Sequence, residues 1–348
     1  MVAQVESRVA EVPLAKGTRP GARPRIDALD MTKGVLVMAM VVYHSFNYST
    51  DYTLGFKYLP FLPPSFILIT GFLIARLYFT PEAARDSRVY ERLFFRGCRL
   101  LVLFTLLNLL TELVGRRKAV GSSQGVGYFF DHWVEIYGLG GGHYAAFSIL
   151  LPIAYLLLLA PLLILLYRAH PLLVPVIAIP VAILCAVISQ GGDYFNLGLL
   201  GAGLLGVIIG RVPDKVLSSL GRYWYLAVIV YAGYVAFIWI GWQGHFDQLL
   251  NAILALVAIF GLCAAIGAGT FLGRELLLVG RYSLLAYIVQ IALLQVLTRL
   301  IGRLEPFTVP FFVEMAGVAL LMFLMAETLN WARRRAAWID ASYRFILA

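Results

Sequence analysis

Lys33 and His44 are the pair whose types and spacing could do chemistry. They stand eleven positions apart in an apolar run, DMTKGVLVMAMVVYHSFNYSTD. On a helix that is almost three full turns, so both side chains share one face. The rise between them is roughly 16 Å at about 1.5 Å per residue. Asp30, Val37, Met40, Asn47 and Asp51 fall on or near the same stripe, and the other faces are Val, Leu, Met and Ala. A neutral imidazole takes up a proton near neutral pH, and an ammonium group holds an anion. The same spacing also suits a lysine that snorkels at a membrane boundary and a histidine that bridges two helices. Spacing alone leaves both readings open.

The elements that carry this stripe belong in a bilayer. Sixty-one per cent of the residues are hydrophobic and only 14% are charged, with a mean hydropathy of +0.84. A soluble domain carries nearer a quarter charged residues. Ten apolar segments are expected, at about 33–50, 60–79, 93–114, 144–167, 171–189, 194–210, 222–241, 248–272, 277–300 and 308–332. Most reach the ~20 residues that span a bilayer core. The expected fold is an all-α polytopic membrane protein of about ten transmembrane helices. Residues 1–25 read as a basic, disordered cytoplasmic arm, 26–335 as the transmembrane domain and 336–348 as a cytoplasmic tail. Residues 1–29 have no apolar core, so no cleavable signal is expected.

With both termini inside, the outer loops hold only Lys57, Arg116, Arg117, Lys118, Arg299 and Arg303 of the 28 Lys and Arg residues. This bias supports that orientation and explains the net charge of +9 as a topology signal, so no nucleic-acid partner is implied. Cys98, Cys185 and Cys263 lie far apart, and no histidine pair has ligand spacing, so no metal and no disulfide framework are expected. Gly201-x-Gly203-x-x-Gly206 has the spacing of a dinucleotide fingerprint. It lies in an apolar run with no strand before it, which favours close helix packing instead.

A second cationic group follows. Arg85, Arg88, Arg92, Arg96 and Arg99 are spaced to share one helical face at the inner boundary. Guanidinium groups in a line suit phosphates, or acidic lipid headgroups. The Lys33–His44 separation matches the reach of a pantetheine arm. Phosphates of coenzyme A near Lys33 would then place a thioester at His44. Residues 115–143 form the longest outer stretch, an interfacial or re-entrant segment rich in aromatics. His143 heads the fourth segment, where it suits either an acceptor or a cap. Glu314 lies within the tenth, facing either an acceptor or Arg299 or Arg303. Asp193 and Asn196 are placed to cap the sixth helix.

Several stretches resemble one family. Asp30-x-x-Lys33-Gly34 followed by His44-Ser45 is similar to the first helix of the acyltransferase type-three family of integral membrane acyltransferases. Lys33 stands where that family usually has arginine, as in its fucose O-acetylase-like branch. Pro64 to Phe72 resembles the family's second helix, and Arg96-Gly97-Cys98-Arg99 its Arg-x-x-Arg motif. Leu278 to Tyr287 resembles its late LG-x-x-S helix, with Gln290 where histidine is common. The resemblance implies O-acyl transfer in a bacterial inner membrane, from cytoplasmic acyl-CoA, acetyl-CoA being the expected donor. The acceptor would be a hydroxyl of an envelope glycan or lipid-linked sugar. His44 would be the general base. Lys33, Arg92, Arg96 and Arg99 would hold the donor, with Asp30 and Asn47 in support. His143 and Glu314 are the acceptor-side candidates. A proton-coupled transporter or flippase of an anionic or glycan substrate is the alternative, and no internal repeat favours it.

Overall fold

The computed structural model describes residues 26–49, 58–114, 125–140, 146–189, 194–213, 215–216, 223–239 and 247–347. The basic arm 1–25, Asp51, His143 and Asp193 lie outside them. The described secondary structure is entirely helical. In chain order the helices are α1 (Asp27–Ser49), α2 (Leu62–Tyr78), α3 (Pro81–Arg85), α4 (Ser87–Val114) and α5 (Gly125–Asp131). A π-turn, Glu135–Leu139, precedes α6 (Leu150–Ala169), α7 (Leu173–Ser189) and α8 (Phe195–Ile209). Then come α9 (Trp224–Trp239), α10 (Asp247–Ile266), α11 (Phe271–Arg281), α12 (Ser283–Ile301), α13 (Val309–Arg335) and α14 (Ala337–Leu347). Stretches of α4, α6, α10, α12 and α13 are long and apolar enough to cross a membrane, and α2, α7, α8 and α9 are shorter apolar helices. This is a polytopic, all-helical membrane protein.

The helix that carries Lys33 and His44 is surrounded by others. α1 packs against α2, α10, α11, α12 and α13, and Met31, Leu36, Val37, Met40 and Val41 on it are fully buried. Its close approach to α11 depends on two residues without side chains. A Cβ on Gly280 would strike the Asp30 carbonyl, and one on Gly34 the Leu276 carbonyl. At the far end of α1 the Leu304 amide donates to the Ser49 carbonyl at 2.6 Å and the Thr298 hydroxyl to the Tyr48 carbonyl at 3.3 Å. The glycine run of α8 also serves packing: Gly206 abuts the backbone of Leu68, and Gly203 meets Gly71 of α2.

The eighth and ninth expected segments divide differently from the sequence reading. α10 ends at Ile266 and a turn follows, in which Gly267 has φ +72. Thr270 then caps α11, its hydroxyl accepting from the Gly273 amide at 3.0 Å. α12 starts only after a kink at Tyr282. The arginine run is also interrupted: α3 ends at Arg85, and the Asp86 carboxylate accepts the Arg88 amide at 3.0 Å to open α4. Arg85 therefore leaves the shared face. Asn196 caps nothing. It lies inside α8 and donates to the Ile136 and Tyr137 carbonyls, tying down the π-turn.

The expected tail is helix α14, docked by a polar clamp. Arg333 donates to Asp340 from Nε at 2.8 Å and from Nη2 at 2.6 Å, and Arg344 pairs with the other carboxylate oxygen. The Arg333 hydrogen bonds hold the Asp340 carboxyl below its ordinary range. Because the folded pKa is depressed, this contribution is present above the unfolded pKa and fades as pH falls through the folded one.

The α1–α11 crossing gives the first prediction. Gly280→Ala forces the two backbones apart and should destabilise the protein by about 1–3 kcal/mol or more. Thermal unfolding in detergent should show this, whereas Gly317→Ala, at a mid-helix glycine facing open space, should leave the midpoint unchanged or raise it.

Candidate active site

The crossing at Gly34 fixes the residue before it. Lys33 pairs with Asp30 at 2.6 Å, one turn back on α1. Arg281 of α11 approaches Asp27 at 3.8 Å nearby. Asp27 and Asp30 also lie in the first turn of α1, where the helix dipole favours carboxylates.

Lys33 lines a cavity of about 200 Å³ enclosed by α1, α2, α4, α6 and α12. Arg96 of α4 reaches the same cavity. The two positive groups, 63 positions apart in the chain, thus share one chamber. Thr70, Ser283 and Tyr287 add hydroxyls, and most of the remaining lining is apolar, including Met40 and Phe66. The four cations expected to act together are split. Arg99 turns away, its Nη1 donating to the Phe345 carbonyl of α14 at 2.9 Å and its Cζ lying 5.0 Å from the Phe345 ring. Arg92 is exposed and does not line the cavity.

His44 lies just beyond the chamber. Its ring is 6.1 Å from the Tyr287 ring, 5.1 Å from Tyr43 and 5.8 Å from Tyr48. Tyr287 lines the cavity on one side and meets His44 on the other. Phe147 braces Tyr287 edge-on at 6.2 Å. Phe147 has φ +59, a left-handed backbone that costs a bulky residue roughly 1–2 kcal/mol. Next to it, Asn108 grips Ala146 through both backbone groups, at 3.0 and 2.8 Å. The aromatic stretch before α6 folds back onto the bundle. The Tyr137 hydroxyl bonds that of Thr105, and its carbonyl accepts from Tyr155 at 2.6 Å.

The His44 Nε2 is buried and has no hydrogen-bond partner among the described residues. The Oδ1 of Asn47, one turn further, is in the same condition, as are Ser45 Oγ, Asn251 Nδ2 on α10, both polar atoms of Gln290 on α12 and Glu314 Oε2 on α13. On α12, Ala286 and Leu294 flank Gln290 by one turn each way. Both pack in one cluster with Val37 and Val41 of α1 and Val318 of α13. Gln290 therefore faces the seam between α1 and α13, with Ser45 one turn beyond Val41 and Glu314 one turn beyond Val318. Sequence reasoning assigned Tyr287, Ser283 and Thr70 no role, although the late motif contains the first two. Asn251 gave no signal, since its burial depends on how α10 meets α1.

The family model for an acyltransferase domain matches residues 26–331. The chain belongs to the acyltransferase type-three family. It is an acyltransferase, consistent with transfer of acyl groups other than aminoacyl groups. No curated protein and no solved structure matches the chain. The matched stretch of the acyltransferase begins one residue before α1 and contains every cavity-lining residue named above. It stops within α13, so α14 lies outside it.

A buried amide without partners costs about 1–3 kcal/mol, and an apolar residue of similar volume removes that cost. Gln290→Leu in the acyltransferase should accordingly raise the thermal midpoint in detergent. A lower midpoint would mean that the amide is already hydrogen-bonded.

Proposed function

We propose that the protein moves an acyl group, acetyl in the first instance, from cytoplasmic acyl-CoA to a hydroxyl of an envelope glycan or lipid-linked sugar, in a bacterial inner membrane. The observation that carries this reading is the meeting of Lys33 and Arg96 in one largely apolar chamber that ends at Tyr287 beside His44. Two fixed cations suit the phosphates of a coenzyme A. The apolar walls suit an uncharged arm and a thioester. Lysine acts here as a point charge and arginine can add a bidentate contact. Asp30 holds Lys33 in place from one turn below.

In the reaction, the neutral imidazole of His44 accepts the proton of the acceptor hydroxyl through Nε2. The oxygen attacks the thioester carbonyl, the carbon–sulfur bond breaks, and the thiolate leaves with the proton returned from His44. Atoms and charge balance without a metal or redox partner. The thioester must pass Tyr287 to reach His44, so a turn of that ring opens the path. Asn47 and Glu314 then present unpartnered oxygens to the acceptor side, and Gln290 offers a donor and an acceptor, the pair of functions that a hydroxyl itself has.

The test is release of coenzyme A, and transfer of labelled acetyl from acetyl-CoA into membrane glycans and lipids, by membranes containing the protein. His44→Ala should lower transfer about 10²–10⁴-fold, the range for a lost general base, while coenzyme A binding persists. Normal transfer by a correctly inserted His44→Ala protein would defeat the assignment. Lys33→Ala should weaken coenzyme A binding, measured by calorimetry, by about tenfold or more, as for loss of a charge-assisted contact of ~1.5–3 kcal/mol. Unchanged affinity would remove Lys33 from the donor site.

A further inference from the structure

Helix α14 has two unlike faces. One is taken up by the protein: Asp340 is clamped by Arg333, and Tyr343 packs edge-on against Tyr282 at 5.4 Å beneath the Arg333 guanidinium. The other is open. Trp338, Phe345 and Ile346 are 72%, 69% and 52% exposed, and Trp338, Ala341 and Phe345 follow an i, i+3, i+7 stripe. Arg334, Arg335 and Arg344 stand exposed around it.

The covalent connection limits what this face can meet. Only Ala336, in an extended conformation, separates α14 from α13, a helix long and apolar enough to cross a bilayer. The clamp then turns α14 back onto the body, against Tyr282 at the head of α12 and Arg99 of α4. An aromatic stripe flanked by arginines, held where a span leaves the hydrocarbon, has the make-up of a helix lying in a membrane interface. The arginines match negatively charged headgroups.

We propose that α14 is a docking surface for an anionic phospholipid leaflet, into which Trp338 and Ile346 insert. Arg99 is its anchor on the protein side, through the carbonyl and ring of Phe345. This assignment is independent of the donor and acceptor named above. It makes the position of an arginine near the chamber depend on the lipid beneath it.

Hydrogen exchange of residues 337–347, measured on the full chain in nanodiscs, tests it. One set holds phosphatidylcholine alone, and the other phosphatidylcholine with phosphatidylglycerol. Exchange should be about tenfold or more slower with the anionic lipid, since each basic residue near such a surface adds to the attraction. A variant carrying Trp338→Ser and Ile346→Ser keeps the Arg333–Asp340 clamp and the Arg99–Phe345 contact, and should lose that protection. Arg99→Ala should lose part of it. Equal exchange in the two lipids, or full protection in the double variant, overturns the proposal. Exchange that is fast in both lipids does so as well, and would leave a protein partner as the occupant.

Discussion

The contact between α1 and α11 is made backbone to backbone, and the rest of the site depends on it. Gly34 and Gly280 let two helices approach until each glycine lies against a carbonyl of the other. At that distance the register of α1 is set along its length. Lys33, next to Gly34, is thereby pointed into the chamber, and Tyr282 is brought to the head of α12. The lacing of Ser49 and Tyr48 to Leu304 and Thr298 fixes the far end of the same helix. A helix held at both ends offers a rigid rail for groups that must stay about three turns apart.

Around that rail the protein reverses the usual amphipathic arrangement. The polar side chains of α1 point inward, and the apolar faces of its neighbours insulate them from lipid. The outer helices show the complement: α7 exposes Val176, Ile183, Leu184 and Val187, and α9 exposes Ile229 and Phe237. Polar atoms enclosed this way are costly unless they are satisfied. Several on α1, α10, α12 and α13 have no partner among the described residues. Those on α1 fall together on its last two turns, at His44, Ser45, Asn47 and Ser49.

Most of the architecture was legible from hydropathy alone, because lipid imposes a simple rule on every exposed residue. Helix existence followed from apolar runs, and the packing role of the α8 glycines followed from their setting. The break at Tyr282 was not visible, since Leu278 to Tyr287 is apolar enough to read as one helix. Nor was the end of the arginine face at Arg85, where an aspartate at position 86 serves as a helix cap. Of the site, the Lys33–His44 spacing and the Arg96 motif could be read along the chain. Their meeting in one chamber could not, because it depends on how α4 leans on α6. The diversion of Arg99 depends on a residue 246 positions later, beyond the reach of any local pattern.

The grip of Phe345 on Arg99 has a practical side. Any pull on α14 is passed through that ring to Arg99, about one turn of α4 from the Arg96 that lines the chamber. A label or tether placed on α14 is therefore also a probe of α4.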